Sequence, residues 1–370
     1  MALKIKQFFG SLTLKQMVFS LIVICSLILW LILTLWSNHE INGLIDQQAA
    51  ARWDEDGGSA QVSCFLSESV EFDELKIVGF EKELEKSLLE VLPADAQSGE
   101  NGKRLFVDAY SSLGKITVNS ERSTLEANAV GIGGDFFLFH PLQLVSGGYF
   151  SGNDLMKDSI ILDEDAAWQL FGSSDIAGQS VMIGNVPHYV AGVVKRQEGR
   201  FAESAGLKET VIYVSNETLA AYGSGGGISI YEVTAPNPVK GFIYKCVKEK
   251  LGVEENNMVV VENSARYSLE ALIPVILEFG NRSMQNYAVK LPYWENIARG
   301  WEDIKALVLL FQFIFLLIPG VIIIVFLIIK WKNRSFTWKD VGSFIINTKD
   351  RIVQKARVSV REEKEKWEHF

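Results

Sequence analysis

Two uninterrupted apolar runs constrain the fold of this chain more than any other feature of its sequence. Residues 17–36 and 306–329 contain no charged side chain. A helix needs about 20 apolar residues to cross a hydrocarbon layer of about 30 Å, and no other stretch of the sequence is long enough. We therefore predict two transmembrane helices, at 17–36 and 306–329, with a folded domain over residues 37–305 between them.

The first run is typical of a membrane anchor that the mature protein keeps. A cleaved signal peptide has a shorter apolar core, and small residues follow it directly. Here Ser37, Asn38, His39 and Glu40 follow the run instead. We therefore predict a signal anchor.

The distribution of charge predicts the orientation of both spans. Three lysines and no acidic residue precede residue 37, and eleven Lys or Arg against six Asp or Glu follow from residue 330 onward. The whole chain carries −9 and its two ends carry +3 and +5, which leaves −17 on residues 37–305. Because Lys and Arg near a span favour the cytoplasmic side, we predict cytoplasmic termini and an extracellular domain. An acidic domain also argues against a nucleic acid partner.

Both cytoplasmic ends have a recognisable character. Residues 1–16 are predicted to form an amphipathic segment, with Phe8, Phe9 and Leu12 on its apolar face and lysines on the other. Such a segment lies in the inner membrane interface, either as a plain lipid anchor or as a contact for a cytoplasmic partner. For the second reading, Phe8, Phe9 and Leu12 are the candidate partner-coupling residues. Residues 330–370 are predicted to be a charged cytoplasmic tail.

The second run contains Pro319 and Gly320 near its middle. Proline removes a backbone hydrogen bond and clashes with the preceding turn, so we expect a kink there. Pro319 and Gly320 are therefore candidate hinge residues. A static bend is the alternative, because neighbouring groups in a membrane bundle can satisfy the freed carbonyl.

The predicted extracellular domain repeats one pattern on either side of a Gly-rich segment. Apolar periodicity predicts a strand, a helix and two strands at 60–66, 73–92, 104–110 and 124–132. Short strands broken by glycine fill about 133–200, around a helix at 164–171. A strand at 210–214 is followed by a second strand-helix-strand unit at 227–234, 238–251 and 258–261. We predict an α+β domain of two strand-helix-strand units with a β-rich insertion at about 133–200.

The sequence contains no pattern that predicts catalysis. It has no G-x-x-x-x-G-K-[ST] phosphate loop, and its four histidines are scattered without metal-ligand spacing. Ser112 and Lys115 match an S-x-x-K pattern, but they are predicted to lie at a glycine turn between strands, where that motif does not function. We therefore predict no enzyme activity, no cofactor and no metal.

Two cysteines lie in the predicted extracellular domain. Cys64 is on a predicted strand of the first unit, and Cys246 is on a predicted helix of the second. A disulfide between them and two free buried thiols both agree with the sequence, because nothing in it defines their separation.

Six short segments in series resemble one known family. They are Val130–Phe137, Gly147–Phe150, Ile160–Asp163, Ala166–Gly172, Ile176–Gln179 and Tyr189–Val194. In order and spacing they resemble the extracellular core domain of MacB-like ABC transporter permeases. One departure is Gly148, where that family usually has arginine.

The resemblance implies a porter-like fold of two strand-helix-strand lobes with the β-rich insertion. It also implies an ABC ATPase, a full-length permease, or both, as partners that supply the hydrolysis of ATP. Members of the family normally continue with three membrane spans after the domain, whereas this sequence has one span and the charged tail. We expect a truncated form that lacks the C-terminal permease spans.

Two functions follow as hypotheses. The first is a non-catalytic membrane subunit or accessory protein of a MacB-like ABC transport system, which couples a partner ATPase to an extracellular domain and assembles with itself or with a permease. The second is a membrane-anchored extracellular protein that binds or senses a peptide or a cell-wall enzyme. The length of the cytoplasmic tail, beyond what an anchor needs, favours the second hypothesis.

Overall fold

The computed structural model describes residues 14–92, 104–225, 227–282 and 289–332. The chain divides into two compact units. One, the body, comprises residues 35–310. The other, the membrane unit, contains residues 14–34 and 311–332 of the described chain. The amphipathic segment with Phe8, Phe9 and Leu12, and the tail beyond Lys332, lie outside the described residues.

The helices predicted at 73–92, 164–171 and 238–251 are present, and several short helices were not predicted. In chain order the helices are α1 (Leu14–Asn42), α2 (Ala49–Trp53), α3 (Glu74–Val91), α4 (Phe136–Phe139), α5 (Glu164–Phe171), α6 (Asn216–Tyr222), α7 (Phe242–Lys250), α8 (Leu269–Leu277), α9 (Phe279–Arg282) and α10 (Tyr293–Lys332). Short 3-10 turns occupy Ile45–Gln47, Glu255–Asn257 and Asn263–Ala265. Asp73 and Asp163 cap the amino ends of α3 and α5 by accepting backbone N–H groups, so both helices begin at the predicted residue or one residue after it.

The strands form one sheet. They are β1 (Ser59–Leu66), β2 (Val107–Asn119), β3 (Thr124–Gly134), β4 (Leu144–Gly147), β5 (Ser159–Asp163), β6 (Ser180–Ile183), β7 (Val186–Val194), β8 (Val211–Ser215), β9 (Ser224–Gly225), β10 (Ile230–Pro236) and β11 (Met258–Glu262). Their order is β11-β1-β10-β2-β3-β8-β5-β7-β4, with β6 and β9 attached at the sides. The predicted mixed α+β class is confirmed.

The two strand-helix-strand units share the first four strands of this sheet. β1 lies between β10 and β11 and is antiparallel to both, and β10 is antiparallel to β2. This arrangement is the split β-α-β, or ferredoxin-like, topology. The prediction of two lobes therefore requires correction: the units interleave into a single lobe, because each supplies strands that occupy the edges the other would leave open.

The strand β2 is longer than predicted. It runs through Ser112 and Lys115, which were expected at a turn, and pairs with β3 from Ala109 to Asn119. Gly114 permits this, because β9 crosses so closely that a Cβ at Gly114 would lie 2.6 Å from the Ser224 carbonyl oxygen. The S-x-x-K pattern thus lies within a strand, where the Ser112 hydroxyl donates to Asn216 Oδ1 at 2.7 Å.

The predicted β-rich insertion forms the other half of the sheet. β3 pairs with β8 in parallel, β8 with β5 antiparallel, and β5 with β7 in parallel. Its helix α5 packs on β3 and β5, where Ala166, Ala167 and Leu170 are fully buried. The insertion is therefore continuous with the lobe rather than a separate subdomain, because β2 and β3 extend from one into the other.

The lobe is covered on both faces. The helices α3 and α7 bury Ile77, Phe80 and Val247 against one face, together with alternate side chains of β1 such as Val62. The opposite face buries Phe65 with Phe136 and with Trp294, from the start of α10. The strand β1, whose polar and apolar residues alternate, is thus covered on both faces.

The glycines of the family-like segments allow a test of the packing in the insertion. Gly147 has a φ of +72°, and a Cβ there would lie 2.2 Å from the Ala191 carbonyl oxygen. We expect Gly147→Ala to lower the free energy of unfolding by about 2 kcal/mol or more. The neighbouring Gly148→Ala is the matched control, because a Cβ at Gly148 meets no atom within 4 Å. Thermal unfolding of both variants checks this, and equal losses would contradict it.

Both candidate membrane helices are longer than the apolar runs. By length and composition, Met17–Asn42 and Tyr293–Ile329 qualify as candidate spans. Within the membrane unit, Gln312 Nε2 donates to Thr34 Oγ1 at 3.0 Å, and the Ser26 hydroxyl donates to the Phe315 carbonyl oxygen. These bonds pack α1 against α10. The helix α10 continues through Pro319 and Gly320 to Lys332, so the proline does not end it, and a hinge there remains a prediction.

Candidate functional site

A continuous chain of buried polar side chains crosses the body. It links α10, three strands of the lobe and the 3-10 turn that follows α1. We call it the buried network, and its members are Asp46, Ser63, His140, Glu232, Asn263, Arg266, Glu295 and Glu302. Every member is at most 8% exposed, so each must find its partners inside the protein.

His140 forms one end of the buried network. It directly follows α4, and its side chain lies between two carboxylates. Nδ1 is 2.9 Å from Asp46 Oδ1, and Nε2 contacts Glu232 Oε2. The rings of Trp294 and Phe136 cover the imidazole, with centroids 4.1 and 4.8 Å away. His140 therefore joins the turn after α1 to the middle of β10.

The surroundings of His140 keep it charged at neutral pH. Burial by itself would lower its pKa, but the carboxylates of Glu232 and Asp46 raise it to about 9. The folded pKa is above the ordinary value of 6.5. The stabilisation from this proton is therefore fully present below pH 6.5 and is lost as the pH rises through about 9.

Two uncharged side chains carry the buried network across the sheet. The Ser63 hydroxyl on β1 donates to Glu232 Oε1 at 2.5 Å, and Asn263 Nδ2 donates to Ser63 Oγ at 2.7 Å. Ser63 is opposite Glu232 on one side and Val261 on the other, so the strand register places these groups together. Asn263 directly follows β11 and accepts a hydrogen bond from Arg266 Nη1 at 3.1 Å.

Arg266 forms the other end of the buried network, against α10. Nη1 and Nη2 donate to the two oxygens of Glu295 at 2.6 and 2.7 Å, and Nε donates to Glu302. Burial would raise the pKa of Glu295, but the guanidinium of Arg266, followed by that of Arg299, lowers it. Such a bidentate pair fixes the direction of both side chains as well as their separation.

The buried network attaches the turn after α1 and the start of α10 to one sheet. Asp46 lies four residues after the last residue of α1, and Glu295 and Glu302 lie on α10 itself. Buried ion pairs are weak evidence for net stability, because desolvation offsets much of their attraction. The geometry of these ion pairs, however, allows only one arrangement of their side chains. The site is therefore suited to holding the start of α10 and the turn after α1 in a defined position on the sheet.

The residues that the sequence pointed to lie elsewhere. Pro319 and Gly320 are in the membrane unit. Cys64 and Cys246 are free thiols in the same buried cluster under α3 and α7, so the candidate disulfide is not formed in the structure. Burial raises the pKa of the Cys64 thiol to about 12. Within the described residues, no group of three or more His, Cys, Asp or Glu side chains could hold a metal ion.

Sequence reasoning missed the whole buried network. One signal was available: Glu295 and Glu302 are seven residues apart and therefore share one face of a helix next to a predicted span. Their partner Arg266 is 29 and 36 residues away, and His140 is 94 residues from Asp46 and 92 from Glu232. No local spacing connects such pairs.

A further acid, the partly buried Asp108, lies outside the buried network. It accepts a hydrogen bond from the Tyr231 hydroxyl at 2.9 Å. Burial, together with the charge of Glu81, raises its pKa to about 7, far above the ordinary 3.8. The folded state therefore holds a proton that the unfolded state has released between pH 4 and 7. Stability contributed by this group is present at low pH and is lost as the pH rises through about 7.

We expect Asp108→Asn to remove this dependence. The variant should gain stability relative to the native chain as the pH rises from 5 to 8, by about 1–3 kcal/mol, because the amide never ionises. Tyr231→Phe should move the native transition to higher pH, since the tyrosine hydrogen bond lowers the pKa of Asp108. Thermal unfolding at a series of pH values measures both effects. Parallel profiles for all three proteins would contradict the prediction.

The body has a counterpart among known families. The model of the MacB-like periplasmic core domain matches residues 56–241, half of the chain. The chain belongs to this family. It is therefore a member of a family of ABC transporter components, with two candidate membrane helices flanking a periplasmic-type domain. The predicted family resemblance is confirmed.

Individual relatives share parts of the domain. The macrolide export ATP-binding/permease protein MacB of Agrobacterium fabrum is 31% identical over 112 residues, which are 29% of this chain and 17% of that protein. The protein of the same name from Vibrio parahaemolyticus is 25% identical over 158 residues, 40% of this chain and 24% of that protein. The matches thus span less than a quarter of these relatives' own length.

Two solved structures are also similar. The periplasmic region of MacB from Actinobacillus actinomycetemcomitans has a TM-score of 0.39 and 17% identity, covering 58% of this chain and 92% of that one. The extracellular domain of the noncanonic ABC-type transporter YknZ from Gram-positive bacteria has a TM-score of 0.36 and 19% identity, covering 54% and 99%.

Proposed function

We propose that this protein is a non-catalytic membrane subunit or accessory protein of a MacB-like ABC transport system, which couples a partner ATPase to its extracellular domain. Family membership supports the transport system. The observation that carries the proposal is the buried network, because it connects α10 and the turn after α1 to the same three strands. A displacement of either helix would therefore move the lobe.

The mechanism requires contacts that transmit force without slipping. Arg266 holds Glu295 through two parallel hydrogen bonds, and Glu302 through a third, about two helical turns further along α10. His140 holds Asp46 through Nδ1 and Glu232 through Nε2. Such hydrogen-bonded charge pairs tolerate little change in angle. A motion of α10 would reach β11 through Arg266 and β10 through Ser63.

The cytoplasmic side would receive the motion from the partner. We place both termini in the cytoplasm and residues 37–305 outside, in line with the distribution of Lys and Arg. Phe8, Phe9 and Leu12 are then the proposed contact with the ATPase or with a permease. Pro319 and Gly320 are the proposed hinge in α10. A second copy of this chain is a further candidate partner.

Affinity purification of the full chain from gently solubilised native membranes, followed by mass spectrometry, tests this function. We expect recovery of an ABC ATPase, alone or with a full-length permease. The variant Phe8→Ala/Phe9→Ala/Leu12→Ala should lose that ATPase while its body unfolds at the native temperature. Leu14→Ala is a control, since it changes an exposed apolar residue that is not one of the three proposed contact residues.

The second candidate is a membrane-anchored protein that binds or senses an extracellular peptide or a cell-wall enzyme. The charged segment 330–370, longer than an anchor needs, favours it. Recovery of extracellular proteins alone, under conditions that keep known transporters intact, would support this role and overturn the transport role.

A further inference from the structure

A cavity of about 650 Å³ opens at the part of the body where α1 and α10 leave the predicted spans. Trp36, Glu40 and Trp301 line it from the two helices, and the segment 195–202 contributes Lys195, Arg196 and Arg200 to the lining. Its volume is within the range of small-molecule sites. Asp46 of the buried network also lines the cavity, but its carboxylate is paired with His140.

The cavity lies next to the ends of both predicted spans. Trp36 is the last residue of the first predicted span, and Trp301 is five residues before the second. Their ring centroids are 6.2 Å apart. One turn of helix further on, Lys305 Nζ donates to Asn38 Oδ1 at 3.2 Å. Because Trp is enriched where the hydrocarbon layer meets water, this end of the cavity adjoins the acyl-chain region.

The polar lining offers one cation and one anion for a ligand. Arg196 is engaged by Asp163 at 3.2 Å and by Asp165 at 2.6 Å, and Lys195 is 3.6 Å from Glu198. Arg200, by contrast, lies over the Phe201 ring at 6.0 Å from its centroid. In the part of the chain that the structure describes, no ion pair engages Arg200 or Glu40.

This combination selects the chemistry of the ligand. An unpaired guanidinium suits a phosphate, which it can bind through two parallel hydrogen bonds. The unpaired carboxylate of Glu40 suits an ammonium group. Aromatic rings beside the hydrocarbon layer suit the glycerol ester region and the start of the acyl chains. A phospholipid with a zwitterionic amine headgroup has all three parts, joined in the order ammonium, phosphate and glycerol ester.

We propose that this cavity binds the headgroup of a phosphatidylethanolamine-type lipid from the outer leaflet. Arg200 holds its phosphate, Glu40 holds its ammonium group, and Trp36 and Trp301 flank the point where the acyl chains enter the bilayer. The proposal rests on the insertion of α1 and α10 in a membrane, and it does not require the ATPase partner.

Native mass spectrometry of the full chain, released from nanodiscs of defined composition, tests this binding. With equal amounts of phosphatidylethanolamine and phosphatidylglycerol, we expect one retained phosphatidylethanolamine. Arg200→Gln should lower its retention about tenfold. Glu40→Gln should remove the preference for phosphatidylethanolamine and keep retention of phosphatidylglycerol, because only the ammonium loses its partner. Arg104→Gln, at an exposed arginine on the body, is the matched control.

Each other outcome is decisive. Equal retention by the native protein, Arg200→Gln and Glu40→Gln would show bulk lipid around the spans and overturn the proposal. Binding of soluble glycerophosphoethanolamine as strong as that of the lipid would show a site for a free phosphate ester, and would also overturn it. Thermal unfolding of each variant in the same nanodiscs establishes that the body remains folded.

Discussion

Replacing Arg266 with methionine is expected to lower the free energy of unfolding of the body by about 3–5 kcal/mol. The variant leaves Glu295 and Glu302 in a site where both are at most 7% exposed, without the guanidinium that neutralised them. Arg299, which lies on α10 itself, still contacts Glu295 through its Nε at 2.7 Å. One of the two guanidinium groups beside Glu295 therefore remains in the variant. Thermal and urea unfolding of the full chain in detergent measure the loss.

A surface pair provides the matched control for Arg266. Lys240 and Glu270 also form an ion pair, but both side chains are largely exposed. Lys240→Met removes a cation in the same way, and we expect no measurable change in stability, because exposed ion pairs are screened by water. Adding Glu302→Gln to Arg266→Met should recover part of the lost stability, since one buried charge is removed. Equal effects of Arg266→Met and Lys240→Met would contradict the structure of the buried network.

Replacing His140 with glutamine is the second change with a large expected effect, again a loss of about 3–5 kcal/mol at neutral pH. Without the imidazolium, the carboxylates of Asp46 and Glu232 face one neutral side chain in a closed site. The difference between native chain and variant should be greatest below pH 6.5. It should shrink as the pH rises through about 9, because the native histidine then loses its own proton.

The other buried histidine is a suitable control. His188 is 2% exposed, but its ring nitrogens are near the Thr218 hydroxyl, at 3.2 Å, and the Val186 carbonyl oxygen, at 3.1 Å. His188→Gln therefore leaves no buried carboxylate unpaired, and we expect a smaller loss. Adding Glu232→Gln to His140→Gln should restore stability. A pH-independent loss for His140→Gln would exclude the charged pairing.

A comparison of Arg266→Met with Gly147→Ala distinguishes a loss of stability from a loss of coupling. In a complex with a recovered ATPase, Arg266→Met disconnects α10 from β11, whereas Gly147→Ala weakens the insertion and leaves the buried network intact. If the network transmits motion, Arg266→Met should uncouple ATP hydrolysis from transport at temperatures where the body is still folded. The Gly147→Ala variant, at matched stability, should remain coupled.

Local sequence signals predicted the secondary structure well. The helix predicted at 164–171 begins and ends at those residues, and the strand predicted at 60–66 begins one residue earlier and ends at Leu66. Asp163 caps that helix and Gly172 ends it with a φ of +74°. Such signals depend on neighbours within four residues, so a single sequence contains them.

Other features escaped prediction because they depend on distant residues. The turn expected at Ser112–Lys115 is strand, since β9 and β3 flank Gly114. The two predicted lobes are one, because β1 pairs with strands about 170 and 200 residues later. Pairing between distant strands follows from which edges are open and which faces are apolar, and local pattern does not contain that information.

By itself, the sequence determined that the chain has two apolar helices long enough to span a membrane, an acidic α+β domain between them, and a family. These depend on composition, period and short motifs.

Only the tertiary structure determined the position of the buried network. Gln61 and Ser63 alternate with Val62 and Cys64 along β1, a pattern that predicts a polar face in water. The fold instead covers that face with α10, and a covered polar group must find a partner. The buried network is the result, because only the assembled fold brings Asp46, Glu232 and Arg266 within reach of their partners.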